Sequence, residues 1–224
     1  FTVNGNPRTQ EARVRSELGL YIQDKYTFKR LTLSGGLRFD YMNKYSPAQT
    51  IGPAPLLPTR NLSFPETPLT GYKDISPRMG ASYDLFGDSR TAIKVTVNRY
   101  VADPSLGAGT VANNPANLIQ NTATRSWVDG NNNFIPDCDL INPGLQDNRP
   151  SGGDLCGAYT GPSVNFGRPI IGTINDPDVD FGWGNRGYNW EYSTSVQHQL
   201  SGRVAMDVGY FRRWYGNFTV TDNL

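Results

Sequence analysis

From Ala12 to Tyr45 the chain alternates apolar and polar positions in two runs joined at Lys29-Arg30. In the first run Val14, Leu18, Leu20, Ile22, Tyr26 and Phe28 fall on even positions, with Arg13, Arg15, Glu17, Gln23, Lys25 and Thr27 between them. After the junction the apolar set moves to odd positions: Leu31, Leu33, Leu37, Phe39, Tyr41 and Tyr45. A period of two is that of a strand with one apolar face. A two-residue turn sets Phe28 opposite Leu31, Tyr26 opposite Leu33 and Ile22 opposite Leu37, so both strands turn their apolar residues the same way. These strands, near 12–28 and 31–45, have roughly fifteen residues each, where about five or six is usual.

The pattern returns twice. Residues 72–86 and 91–101 form a second predicted hairpin, with Ile75, Met79, Ala81, Tyr83 and Leu85 facing Ile93, Val95, Val97 and Val101 across a turn at Gly87-Asp88-Ser89. Residues 188–200 and 204–219 form a third, with Tyr188, Trp190, Tyr192, Val196 and Leu200 matched to Val204, Met206, Val208, Tyr210 and Trp214 across Ser201-Gly202-Arg203. Leu200 is expected opposite Val204. Between the hairpins lie 46–71, with six prolines and therefore read as irregular chain, and 102–187, dense in Asn, Gly, Pro and Asp. Short strands or a helical turn are expected within the second, for example at Ile170-Ile171-Gly172-Thr173-Ile174.

All tight turns must then lie at one end of the sheet and all long connections at the other. Short turns on one side, long loops on the other, long strands, and Tyr or Trp near strand ends are the signature of an outer-membrane barrel. Alternation by itself equally fits a soluble sandwich. No run of eighteen apolar residues occurs, which excludes a transmembrane helix but not spanning strands. The expected fold is all-β: an antiparallel transmembrane β-barrel fragment of about six long strands, with extracellular loops 46–71 and 102–187. A net charge of +1 gives no basic patch for nucleic acid. The start at Phe1, without Met, reads as a fragment or processed piece. Arg99 and Arg212 fall on the apolar face by counting. There an Arg at the bilayer midplane costs about 2–4 kcal/mol unless it reaches the headgroups or a β-bulge shifts the register.

Gly19-Leu20-Tyr21-Ile22-Gln23-Asp24-Lys25-Tyr26 and Leu31-Thr32-Leu33-Ser34-Gly35-Gly36-Leu37-Arg38-Phe39-Asp40-Tyr41 resemble a barrel hairpin of TonB-dependent outer-membrane receptors. Asp74-Ile75-Ser76-Pro77-Arg78-Met79-Gly80-Ala81-Ser82-Tyr83-Asp84 is similar to a following strand. The run Trp127 to Leu140, and Gly182-Trp183-Gly184 leading to Tyr188-Asn189-Trp190-Glu191, resemble the Oar-like receptors of the Acidobacteria type. The resemblance implies a 22-stranded barrel, an N-terminal plug and energy coupling through an inner-membrane complex. Six strands, without plug or coupling box, depart from it and would form a window from the middle of such a barrel. The partners implied are outer-membrane lipid, the plug and remaining strands of the same receptor, and the coupling complex.

Candidate chemistry is concentrated in 102–187. Asp129, Asn131, Asn133 and Asp137, with the Ile135 carbonyl, have the 1, 3, 5, 9 and 7 spacing of an oxygen-ligand calcium loop, and Asp139 stands in for the missing final acid. Phe134 occupies the sixth position, where such loops carry Gly. The bland alternative is an Asx turn. Cys138 and Cys156, the only cysteines, are expected to form a disulfide in an oxidising compartment. His198 is the sole histidine and has no catalytic partners, and no enzymatic constellation occurs. Asn61-Leu62-Ser63 and Asn217-Phe218-Thr219 match a sequon that is frequent by chance. The polar strand faces read as a solvated lumen wall. Trp127, Tyr159, Trp183 and Tyr188 offer aromatic surface for a sugar or siderophore. The expected function is import of a scarce nutrient, siderophore, cobalamin or glycan-like. The alternatives are an outer-membrane adhesin or surface structural protein, and a soluble carbohydrate-binding β-sandwich.

Overall fold

The computed structural model describes residues 1–102, 113–172 and 174–222. Its strands are β1 (Thr2–Asn4), β2 (Arg13–Phe28), β3 (Leu31–Ser46), β4 (Gln49–Ile51), β5 (Leu62–Phe64), β6 (Thr67–Asp84) and β7 (Thr91–Val101). There follow β8 (Thr122–Thr124), β9 (Trp127–Val128), β10 (Gln146–Asp147), β11 (Leu155–Cys156), β12 (Phe181–Trp183), β13 (Tyr188–Ser201) and β14 (Val204–Gly216), with one helical turn, α1 (Pro177–Asp180), before β12. The chain divides into a sheet unit, 14–44, 69–102 and 175–222, and a loop unit, 1–13, 45–68 and the described residues from 113 to 174.

The sheet unit holds the long strands in the order β14-β13-β7-β6-β3-β2, with β12 added in parallel to β6. The sheet is open. Neighbouring long strands are sequential hairpins or their flanks, as the period-two reading requires. Asp84 pairs with Ala92, which leaves Leu85 facing Thr91 through an amide hydrogen bond of 2.9 Å. Val196 pairs with Val208 and Trp190 with Trp214, the expected register of the third hairpin. At its tip the reading needs correction: Ser201, not Leu200, pairs with Val204, and a bulge between Gln199 and Ser201 absorbs the extra residue. In the first hairpin Thr27 and Thr32 hydroxyls meet at 3.2 Å, a contact that the Phe28–Leu31 register predicts.

Several boundaries differ from those expected. The strand expected near 72–86 starts at Thr67, and the last one ends at Gly216 rather than 219. Pro68 is tolerated as the second residue of β6, and Pro77 lies one residue before the pairing with β7 begins at Arg78. The segments 46–71 and 102–187, expected as irregular loops, contain paired strands. Residues 103–112 and Thr173 of the expected long loop lie outside the described residues. No strand forms over Ile170–Gly172; instead Pro169 bridges to Ile119.

In the loop unit β1 pairs with β8, β4 with β5, and β11 with both β9 and β10. Two small cores support these ribbons. Val3, Ala123 and Tyr159 are buried with Phe1, Leu56, Leu140 and Phe166 against them, and Ile51, Ala116 and Ile119 with Leu62 and Phe64. Two buried arginines satisfy backbone oxygens that such short strands leave over. Arg60 donates to the carbonyls of Gly52, Gly5 and Pro7 at 2.7, 2.7 and 2.6 Å. Arg125 donates to those of Gly157, Asn142, Gly144 and Cys156, under the Tyr159 ring.

Candidate functional site

In the sheet unit the apolar face is bare. Leu20, Ile22, Phe28, Leu37, Met79, Val196, Val208, Tyr210 and Trp214 are all exposed, Ile22 to 73%. None of the apolar-face residues named for the three hairpins is buried; among the described residues of the same parity, Leu69 near the start of β6 and Thr91 at the tight-turn end of β7 are. A sandwich would cover this face with a second sheet, because an uncovered apolar patch of such extent is unfavourable in water. Burial in this unit occurs instead on the opposite, polar face: Met42, Lys44, Tyr72, Asp74 and Ser76 are nearly inaccessible. This inversion suits a sheet whose outer solvent is hydrocarbon and whose inner face is polar.

The polar face is knit by side chains from adjacent strands. Lys94 donates to Gln197 at 2.8 Å, the Thr96 and Ser193 hydroxyls meet at 2.6 Å, and Arg213 pairs with Glu191. Arg38 is held by Asp40 at 2.9 Å. At the strand ends from which the long connections leave, Asp74 accepts a hydrogen bond from Arg186 Nε at 2.7 Å and lies 3.6 Å from Arg99 Nη2. Arg99 also donates to the Ile75 carbonyl and stacks over Tyr188. Its charge thus faces a carboxylate that it shares with Arg186, and the β13–β7 register around it is continuous. Arg212 pairs in register with Tyr192 and packs its guanidinium 6.0 Å from the Trp214 ring, beside Tyr188 and Trp190 at the same strand ends. No bulge moves it off the apolar face. An aromatic girdle is where such a residue reaches headgroups. His198 Nδ1 and the Thr91 hydroxyl lie 2.8 Å apart near the tight turns.

The loop unit organises Asp129 to Asp139 around one carboxylate that sequence reading missed. Asp154 is fully buried and accepts from Trp127 Nε1, Gly130 N and Asp137 N at 2.8–2.9 Å. The Asp137 amide, then the Trp127 indole, then the Gly130 amide hold this carboxyl below the usual carboxylate range, against the opposing effect of burial. Its signal lay in no motif, since Asp154 follows the loop it anchors by 17 residues. Asp129 accepts from the amides of Asn133 and Phe134, Asn131 from Asn133, and Asn133 from Ile135, a series of Asx turns. The side-chain amides of Asn131 and Asn133 both donate to Asp137, at 2.5 and 3.0 Å. Asp139 lies apart from this convergence, accepting from Ile141 N. Among the described residues no group of three or more His, Cys, Asp or Glu is arranged to hold a metal. Cys138 and Cys156 are joined in a disulfide across 18 residues, which ties the loop to β11.

The four candidate contact aromatics divide between the units. Tyr159 is buried in a core and Trp127 spends its indole N–H on Asp154. Tyr188 carries the Arg99 guanidinium at 4.7 Å. Trp183, 60% exposed beside Phe39 and Lys73, keeps an open ring surface.

A family model described as an outer membrane beta barrel domain matches residues 2–213. No curated protein and no solved structure matches the chain. With a bare apolar face, a polar inner face and the family match across nearly its whole length, the chain belongs to the outer membrane β-barrel domain family, resides in the bacterial outer membrane and turns that face to lipid.

Proposed function

We propose that the chain is part of the barrel of a TonB-dependent receptor that imports a scarce nutrient by binding rather than by catalysis. The observation carrying this reading is the asymmetry of the sheet: short turns at 29–30 and 202–203 and a six-residue link at 85–90, against connections at the other end long enough to build a folded, disulfide-tied unit. Long connections that fold suit capture of a ligand, and the polar wall suits its passage. The plug and the inner-membrane coupling complex are partners on this reading. The test is uptake of labelled siderophore, cobalamin and oligosaccharide by cells with and without the gene, each with the coupling complex intact or deleted. Uptake lost in both deletions supports the reading. Unchanged uptake with lost surface attachment supports an adhesin instead.

The Asp129–Asp137 turn belongs to the proposal as a calcium loop. Phe134 has φ of 61°, giving the sixth position the sharp bend for which such loops use glycine. Calorimetry should show Ca²⁺ heat that Asp129→Ala abolishes; identical heats remove the ion from the account.

A further inference from the structure

On the polar face of the sheet unit, at the end from which the long connections leave, a basin of about 260 Å³ is lined by Arg38, Arg78, Arg99 and Arg186. The strand period brings Arg38 from β3 and Arg78 from β6 to this face, and Arg186 enters from the segment between β12 and β13. Ser76 lines it too, as do the carboxylates of Glu17 and Asp40.

The arginines are not equally satisfied. Arg38 is held by both Asp40 oxygens, at 2.9 and 3.1 Å. Arg99 and Arg186 share the single carboxylate of Asp74, which is itself fully buried. Two guanidiniums on one buried carboxylate leave a positive excess where charge is poorly solvated. Arg186 is 7% exposed, and its Nη2 has no hydrogen-bond partner. The Ser76 hydroxyl, 2% exposed, is likewise without one. Arg78 stacks over the Tyr100 ring at 4.8 Å, a contact that uses the guanidinium face and leaves its N–H edge available. Unsatisfied buried donors of a charged group are costly, and oxyanions match a guanidinium edge in pairs.

We propose that this basin is a binding site for a small anion, a molecule bearing a carboxylate or phosphate group whose oxygens take the Arg186 Nη2, the Ser76 hydroxyl and the Arg78 edge. Rings of Arg select anions in pores by the same chemistry. The site stands on the sheet unit alone and is independent of how transport is energised.

The test is calorimetry on the protein purified in detergent, with inorganic phosphate and citrate as separate probes. Saturable binding of either is expected, the responding probe distinguishing phosphoryl from carboxylate ligands. Arg78→Gln, at an exposed position, and Ser76→Ala should each weaken it about tenfold, as loss of a charge-assisted hydrogen bond implies. Lys94→Gln, a cation of the same face outside the basin, should leave it unchanged. Circular dichroism and heat-modifiable gel mobility check that each variant is folded. Binding of neither probe, or equal affinity in all three variants, overturns the proposal.

Discussion

Asp154 shows how a single carboxylate sets the conformation of a long polar segment. Three donors up to 27 residues from it in sequence converge on it, and none is replaceable by water at a site that is fully buried. Because its folded pKa is depressed, its stabilisation is present above the unfolded carboxylate range near pH 4 and is lost as pH falls through the lower folded value. Acid titration followed by Trp127 fluorescence should therefore show a transition of the loop unit below about pH 4. Asp154→Asn should lower loop-unit stability at neutral pH and flatten that transition. The calcium spacing was legible in the sequence, because its residues lie within one turn. Asp154 was not, because the chain returns to the turn only after the β10 strand and a 3-10 turn at Arg149–Ser151 have been built.

At the scale of the strand, alternation makes both faces and nearly the whole register readable from the sequence. Neighbours Val97 and Asn98 on β7 then offer a direct comparison, since they point to opposite faces. Val97→Arg should destabilise the protein in lipid vesicles by about 2–4 kcal/mol, whereas Asn98→Arg should cost under about 1 kcal/mol. Equal costs in urea titrations would remove the lipid assignment of the apolar face. The misread elements are those without a period. Strands of two or three residues, such as β9, β10 and β11, are too short to alternate. The Leu200 bulge adds one residue at a turn where either loop length satisfies the apolar pattern. The disulfide was readable from the cysteine count, and in the chain-entropy model its loop is worth about 3 kcal/mol.

For the molecule as a whole, the edges of the sheet matter as much as its faces. β2 and β14 each end the sheet with one side unpaired by any described strand, and open edges are not tolerated in hydrocarbon. The 224-residue chain alone should therefore sediment as aggregate without detergent and remain dispersed with it; a detergent-free monomer in analytical ultracentrifugation would contradict a lipid-facing sheet. The sequence by itself determined the period, the two faces, the turn positions and hence the class of fold, because in a strand each of these is set by the side-chain pattern and a neighbour a few residues away. Only the tertiary structure decided which aromatics are buried, that β12 joins β6 in parallel, and that Asp74 draws in Arg186 from 112 residues further along. Those contacts follow from where the chain returns in space, and no local spacing records that.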